Sequence, residues 1–311
     1  LPWQIGSDLR FITKFFKPMK VAIYGQTYKD DAIPSVLELL EELGKEAAEI
    51  YLEEDFHKLL SGSTPVDTFR TFTEKEGLDT SFDMFVSFGG DGTILRAATY
   101  VRDLGIPMVG VNTGRLGFLS TFKKEEVRKV VREFVAGAYT IVERSLVEVY
   151  TDHDIPEFRD MNFALNEITV SRKDTTSMIT VETHLNDEYL TSYWADGLIV
   201  ATPTGSTGYS LSCGGPVITP TAKSLILTPI APHNLNARPL VISDDTTIRL
   251  KVSGREEHHL VSLDSRIATL ENGMEITVKK ADFNIRLIEY TSESFLKTLR
   301  NKLLWGEDRR N

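Results

Sequence analysis

Cysteine is almost missing from this chain of 311 residues: Cys213 stands alone. A single thiol closes no internal disulfide and builds no cysteine-rich zinc site, so a reducing compartment, the cytoplasm, is the expectation. Long apolar runs are missing too. No stretch approaches 18 consecutive apolar residues, which leaves no candidate for a helical membrane span. Residues 1–20 place Arg10, Lys14 and Lys17 inside or beyond their apolar patch and lack the order of a secretory signal. Positive charge is in deficit. The 35 Lys and Arg face 45 Asp and Glu, a formal net charge of −10. That argues against a broad nucleic-acid or anionic-membrane surface and leaves room only for a local basic pocket. Internal repeats and low-complexity segments are absent as well. What remains is ordinary for a soluble globular protein: 41% hydrophobic and 26% charged residues, in a chain long enough for one large domain or two modest ones.

Met19 directly precedes the first good strand signal, at 21–24. The expectation is that Met19 is the natural start and residues 1–18 an upstream extension, with an ordinary N-terminal arm as the alternative. From there to about residue 138, strand and helix signals alternate strictly. Apolar runs at 21–24, 49–52, 84–88 and 107–111 are separated by helical stripes such as Val36, Leu39, Leu40 and Leu43, closed by Gly44. A further stripe, Val127, Val130, Val131, Phe134 and Val135, stops at Gly137. Such alternation predicts an α/β domain with a parallel sheet over 19–138. From 139 to 290 the pattern becomes successive Val-, Ile-, Thr- and Tyr-rich runs, at 139–151, 162–171, 178–185, 188–194, 197–202, 224–230 and 246–252. Asn186-Asp187 marks a hairpin turn between two of them, and 152–160 reads as an exposed loop. This second domain is expected to be an all-β sandwich. A helical pattern returns only at 294–304, within a C-terminal helix and tail over 291–311.

Chemistry concentrates at four places. Gly89-Gly90-Asp91-Gly92-Thr93 follows a buried-type strand and opens a helix. Its glycines let backbone N–H groups approach an anion, and the helix start favours phosphate. Asp91 at that spot is either a helix cap or a working group that accepts a hydroxyl proton or helps hold a metal on phosphates. The run G-V-N-T-G-R-L-G-F at 110–118 brings a second Gly-rich turn to the same sheet edge, where ligands of α/β sheets bind. Neither matches G-x-G-x-x-G or G-x-x-x-x-G-K-[ST], which disfavours a hydride-transfer Rossmann enzyme and a P-loop kinase. In the β domain, D-G-L-I-V-A-T-P-T-G-S-T-G-Y-S-L-S at 196–212 runs from a strand into a loop of hydroxyls, glycines and one aromatic, a mixture suited to a nucleoside, or else a turn-rich loop with no ligand. Asn166-Glu167 pairs an amide with a carboxylate, which can grip the two hydroxyls of a ribose or simply lie on an exposed strand edge.

In this order and spacing, G-G-D-G-T at 89–93, N-T-G-R-L-G-F-L at 112–119, Asn166-Glu167 and the 196–212 segment resemble the NAD kinase family, especially its bacterial members. Gly214-Gly215-Pro216 and P-I-A-P-H-N-L-N-A-R-P at 229–239 extend the resemblance, which covers about 19–290. The G-G-D-G-T motif alone is shared with diacylglycerol-type lipid kinases and phosphofructokinases; the 196–212 segment is the distinguishing one. The resemblance implies transfer of the γ-phosphoryl group of ATP to the 2′-hydroxyl of the adenosine ribose of NAD, giving NADP and ADP, with a divalent cation such as Mg²⁺ bound with the nucleotide. It implies that Asp91 is the catalytic base, that Gly92 belongs to the nucleotide site, and that Arg96, one helical turn on, matches a position that in some members touches the substrate. Asn166 and Glu167 then hold the ribose, and Thr204, Thr207, Gly208, Tyr209, Ser210, Leu211 and Ser212 bind adenosine. Asp196 matches an aspartate that reaches a neighbouring subunit's ligand, so a homotetramer or homodimer with shared sites is expected. The family fold further implies that the C-terminal segment returns to the first domain. Arg266, in Leu263-Asp264-Ser265-Arg266, stands where others often carry Gln or Asn and is a further binding candidate. Gly208 replaces a common Ala, and Trp194 a common Arg or Gly.

Rival readings are a lipid kinase using the same Gly-Gly-Asp turn and a non-catalytic NAD(P)-binding sensor, against which the presence of Asp91 counts. No nucleic-acid or membrane partner is expected, and no protein metal ligands are singled out. His258-His259 reads as an exposed turn, and His233 as a structural loop residue. Acids 53–55 read as the solvated start of a helix, and Cys213 as small-residue packing beside the nucleotide loop.

Overall fold

A helix that buries one stripe and a strand that buries both faces can satisfy each other only in layers. In the computed structural model, which describes residues 18–26, 32–62, 66–114, 116–120, 122–174, 177–290 and 294–304, the first half of the chain forms such layers. In order it contains β1 (Lys20–Gly25), α1 (Ile33–Lys45), β2 (Glu49–Glu53), α2 (Glu54–Ser61), β3 (Arg70–Phe72), β4 (Met84–Phe88), α3 (Asp91–Val101), β5 (Met108–Asn112), β6 (Phe122–Lys123) and α4 (Val127–Val135). Strands pair in parallel in the order β3-β2-β1-β4-β5. Val36, Leu39 and Leu43 of α1 and Val127, Val130 and Val131 of α4 pack on one face with Val21, Ile23 and Val86. Ile94, Ala97 and Val101 of α3 pack on the other, with Ala22 and Phe85.

The second half contains β7 (Tyr139–Thr151), β8 (Phe163–Ala164), β9 (Glu167–Arg172), β10 (Ile179–Leu185), β11 (Glu188–Ala195), β12 (Gly197–Ala201), α5 (Tyr209–Ser212), β13 (Ser224–Ile230), β14 (Leu240–Ser243), β15 (Ile248–Ser253), β16 (His258–Leu263), β17 (Arg266–Glu271), β18 (Glu275–Tyr290) and α6 (Phe295–Leu303). An antiparallel sheet in the order β14-β13-β12-β9-β16-β17 packs on the β11-β10-β15-β18 end of the first sheet. Val181, Ile248 and Ile276 from one sheet interlock with Val170, Leu198, Leu225 and Val261 from the other, which makes the expected sandwich core. Asn186 and Asp187 turn the β10–β11 hairpin at φ of 47° and 69°, the twin positive values of a type I′ turn.

The return of the C-terminal segment is made by β18, whose 16 residues run from the sandwich to the parallel sheet. It pairs with β15 through 275–278, with β7 along most of its length, and with Met108 of β5 through Leu287. Past that point its side chains alternate faces: Ile285 and Leu287 join the α3 side, Ile288 and Tyr290 the α1/α4 side.

Three expectations are corrected. The strands at 240–243, 258–263, 266–271 and 275–290 lie outside the runs expected from the sequence, and each carries half-buried or exposed positions. His258 and His259 open β16 rather than a turn, and His259 is fully buried with Nδ1 3.0 Å from Asn272 Oδ1. Glu53 is no solvated acid. It is buried, caps α2 by accepting the Phe56 N–H, and also accepts the Tyr100 hydroxyl.

Tyr290 ties β18 to α4: its ring meets Phe122 edge-on at 4.7 Å and its hydroxyl donates 2.7 Å to the Val130 carbonyl. Tyr290→Phe keeps the ring and removes one buried hydrogen bond, a loss of about 1 kcal/mol. The expected result in a thermal melt is a midpoint lower by about 2–4 °C; an unchanged midpoint shows that the bond contributes nothing.

Candidate active site

At the end of β4 the chain must turn sharply into α3. Gly89 does so at φ 149°, where an added Cβ would lie 2.1 Å from Thr93 Oγ1. Gly90 takes the N-cap position and Asp91 is the first helical residue, with no side-chain cap of its own helix. Its carboxylate reaches instead across to the next strand end. Oδ2 accepts the Phe118 N–H at 2.7 Å, and Oδ1 accepts those of Leu119 at 3.0 Å and Ser120 at 2.9 Å. Ser120 Oγ closes the circuit by donating to the Gly89 carbonyl at 3.0 Å. Gly117 is the residue that permits this: a Cβ there would fall 1.7 Å from Asp91 Oδ1. Gly110 likewise serves close packing, against Ile94 and Ser120, rather than an anion. A carboxylate oxygen has two acceptor positions, so Oδ2 keeps one free for a ligand.

A second clasp of the same kind holds the β domain's site. Asp264, at φ 51° in the turn between β16 and β17, accepts the N–H groups of Leu165 at 2.9 Å, Asn166 at 2.9 Å and Glu167 at 3.1 Å. Burial pushes its carboxyl up, and these three N–H groups oppose that. Segment 202–212 is seated on Asn166 and Glu167. The Thr202 N–H donates to the Asn166 carbonyl at 2.8 Å and its hydroxyl to the Leu165 carbonyl at 2.6 Å. Gly205 lets that contact form, since its Cβ would be 2.1 Å from the Asn166 oxygen. Gly208 lies over both side chains, its Cβ position 3.0 Å from Glu167 Oε2 and 3.3 Å from Asn166 Nδ2. The segment is not a loop throughout: a 3-10 turn at Gly205–Thr207 leads into α5.

The expected adenosine residues divide into supports and exposed surfaces. Thr204 is buried, with its carbonyl taken by the Thr207 hydroxyl, and Ser210 Oγ is paired with Thr228 Oγ1 at 2.8 Å. Tyr209 and Ser212 are exposed, and Leu211 is half-buried. Asp196, between β11 and β12, is half-buried and ion-paired to Arg172 at 3.0 Å. Trp194 beside it lies exposed against the His233 ring, 4.4 Å between centroids. Arg266 points inward; its guanidinium donates to the Met161 and Phe163 carbonyls and covers the Phe163 ring, so it braces the 161–163 segment. Cys213 packs against Ile199, Ala201 and Ile226, as small-residue packing requires.

The two clasps meet at the junction of the domains. Leu119, beside the Asp91 clasp, and Leu165, beside the Asp264 clasp, share one buried cluster with Ile94 and Ala97. Ser265, next to Asp264, lines the same cleft of about 730 Å³ as Gly92 and Arg96. That cleft continues to Tyr24 at the end of β1 and Gln26 after it, and to Glu53 and Leu59 at α2. Of these, Asp264, Gln26 and Leu59 were not singled out from the sequence. Asp264 had a signal, an acid in a turn two residues before Arg266; Gln26 and Leu59 had none. Among the described residues no three His, Cys, Asp or Glu side chains come together to hold a metal.

Glu167 Oε2 is buried without a partner. Burial, reinforced by Asp264, pushes its carboxyl up to about 8, against the Tyr209 N–H. A carboxyl raised in the folded state contributes stability below its unfolded value and loses it as pH rises through the folded value. Wild type should therefore lose thermal stability relative to Glu167→Gln as pH rises from about 4.5 to about 8. Melts of both proteins across that range test this; parallel curves would show that Glu167 ionises normally.

Comparison with known proteins agrees with this arrangement. Residues 21–139 match the family profile of the ATP-NAD kinase N-terminal domain and 165–290 that of the C-terminal domain. The chain is 56% identical to the NAD kinase of Flavobacterium psychrophilum and 57% to that of Christiangramia forsetii, over 94% of this chain and 100% of each relative. Among solved structures it is similar to yeast NADH kinase complexed with NADH, with TM-score 0.81, 25% identity, and coverage of 94% of this chain and 89% of that one. It is also similar to the Archaeoglobus fulgidus NAD kinase in complex with ATP, with TM-score 0.71, 27% identity, and coverage of 92% and 99%. With both domain profiles matched in order and relatives of this identity covered in full, the chain belongs to the NAD kinase family of phosphotransferases.

Proposed function

We propose that the chain transfers the γ-phosphoryl group of ATP to the 2′-hydroxyl of the adenosine ribose of NAD, with Asp91 as the base. The observation that carries this reading is the Asp91 clasp. Three backbone N–H groups fix the carboxylate at a helix start, next to Gly92, which lines the cleft, with one acceptor position of Oδ2 uncommitted. The acceptor side is the exposed Tyr209 and Ser212 with the half-buried Asn166 and Glu167 beside them. An amide and a carboxyl together complement a diol, and an aromatic ring stacks on a base. Thr204, Thr207, Gly208, Ser210 and Leu211 hold that face in shape. Arg96 and Gly92 belong to the donor side, and Arg266 acts as a brace rather than a ligand. The divalent cation enters as part of the substrate, Mg·ATP, because Mg²⁺ in such reactions is held largely by phosphates and water with one or two carboxylates. It neutralises the phosphates while the protein positions the reactants. Names of relatives support both nucleotides: the yeast protein is complexed with NADH and the archaeal one with ATP. The lipid-kinase rival loses ground because the match includes the β domain, 165–290. A cytoplasmic site of action suits a lone cysteine.

An Asp91→Asn chain should bind NAD as wild type does and make NADP at least about a hundred-fold more slowly, since a base acts on the transition state. NADP is read with an NADP-specific dehydrogenase, and NAD binding by titration. Turnover near the wild-type rate removes Asp91 from the role of base.

The active form in this reading is a homotetramer or homodimer whose sites are completed across an interface. Exposed Trp194, Leu235 and Val241 lie around the β11 and β14 edges of the two sheets, where apolar area and open strand edges call for cover. Asp196 follows Trp194 by two residues, half-buried in an ion pair with Arg172. Chains carrying Asp91→Asn and chains carrying Asp196→Ala, each inactive alone, should regain activity when co-expressed, because mixed assemblies contain sites with both aspartates. Activity of the mixture no higher than either parent, or a fully active monomer by light scattering, rules out the shared site.

A further inference from the structure

Two helix starts open onto the 730 Å³ cleft, and they differ in charge. At α3 the first turn carries one acid, Asp91, whose carboxylate is held by the 118–120 N–H groups, and offers Gly92, around whose Cβ position nothing lies within 4 Å; Arg96 follows one turn on, 3.7 Å from Glu74. At α2 the first turn is filled with acid: Glu53 caps it, and Glu54 and Asp55 follow, the latter two ion-paired to the exposed Lys58. A phosphate chain is favoured at the first start and repelled at the second. The acidic end also carries an apolar wall. Phe56 and Leu60 of α2 are 1% exposed, whereas Leu59, which lines the cleft, is 48% exposed. An apolar side chain left open in a cleft gains when a flat apolar group covers it. Glu53 Oε1 and Oε2 each accept one bond, from Tyr100 and Phe56, and each keeps a second acceptor position. Among the described residues, none from the 202–212 segment lines this cleft, so the adenosine of NAD is accommodated elsewhere.

We propose that this cleft reads the base of the phosphoryl donor and fixes its direction: a purine lies against Leu59, its exocyclic amine meets the α2 carboxylates, and its phosphates run to Gly92 and Arg96. The inference rests on the reading of the chain as an ATP-dependent kinase and adds the residues that select the donor. Gln26, also at the cleft and able both to donate and to accept, lies at the same end of β1. A donor with no base has nothing to place on Leu59, and one with a 6-oxo group presents an acceptor to acceptors.

The test uses the full chain and Leu59→Glu, a change at a half-exposed position. Three quantities are measured: binding of a ribose-labelled fluorescent ATP, KM for ATP and for NAD, and inhibition by inorganic tripolyphosphate, the baseless probe. Leu59→Glu should weaken fluorescent ATP binding and raise the ATP KM by about ten-fold or more. The NAD KM and the tripolyphosphate inhibition constant should stay within about two-fold of wild type. ITP should bind wild type at least about five-fold more weakly than ATP. Unchanged ATP binding in the variant, or a parallel loss of tripolyphosphate, overturns the assignment of the base to Leu59. Equal binding of ITP and ATP overturns the role of the carboxylates. A chain that binds ATP through Leu59 and yet makes no NADP overturns the kinase reading alone.

Discussion

One interaction recurs at both halves of the site: an aspartate that accepts three consecutive backbone N–H groups from a distant loop. Asp91 does this for 118–120 and Asp264 for 165–167. Consecutive N–H groups converge on one point only if the backbone bends around it, so each carboxylate dictates the path of the loop it holds. Each charge-assisted bond of this kind is about twice as strong as a neutral one. The glycines follow from the clasps. Gly117 leaves room for Asp91, and Gly205 lets segment 202–212 come down onto the residues that Asp264 has arranged.

The clasps also address an electrostatic difficulty. A chain of net charge −10 must bring together two anionic nucleotides. Among the described residues, around Asp91 it relies on a helix start, glycines and Arg96, itself 3.7 Å from Glu74, with Lys302 over the Phe118 ring. Among the described residues the Asp91 carboxylate is met by amide hydrogens rather than by a cation. That keeps the carboxylate oriented without placing a competing positive group beside it.

The layers were legible because their periodicities are clean: Val36, Leu39 and Leu43 repeat at helical spacing, and 84–88 is apolar but for Ser87. The Gly-Gly-Asp turn was legible because glycine has few other reasons to sit there. What the sequence hid depends on distance along the chain. Whether Asp91 capped its own helix or did something else was left open, and its partners lie 27 to 29 residues away. The Asp264 clasp spans 97 to 99 residues, and no local pattern announces it. Arg266 was a binding candidate only by the position it matches in the resemblance; the fold shows its guanidinium on the carbonyls of Met161 and Phe163. His259 looked wet because its neighbours are charged, yet strand alternation turns it inward. Leu59 read as one more apolar helix residue, and only the placement of α2 at the strand ends makes it a wall.

β18 and β7 run side by side from the sandwich into the parallel sheet, hydrogen-bonded from 276 to 290 on one strand and 139 to 151 on the other, with a single irregularity at 280–284. The two halves of the protein therefore share a beam rather than a joint. Bending it open would sever a ladder, so a clam-like closure of one half on the other is a costly way to admit and release nucleotides. Traffic through the site must instead be managed by the segments that border it, and the spacing between the donor cleft and the acceptor face is set once, at folding, like the gap in a fixed gauge.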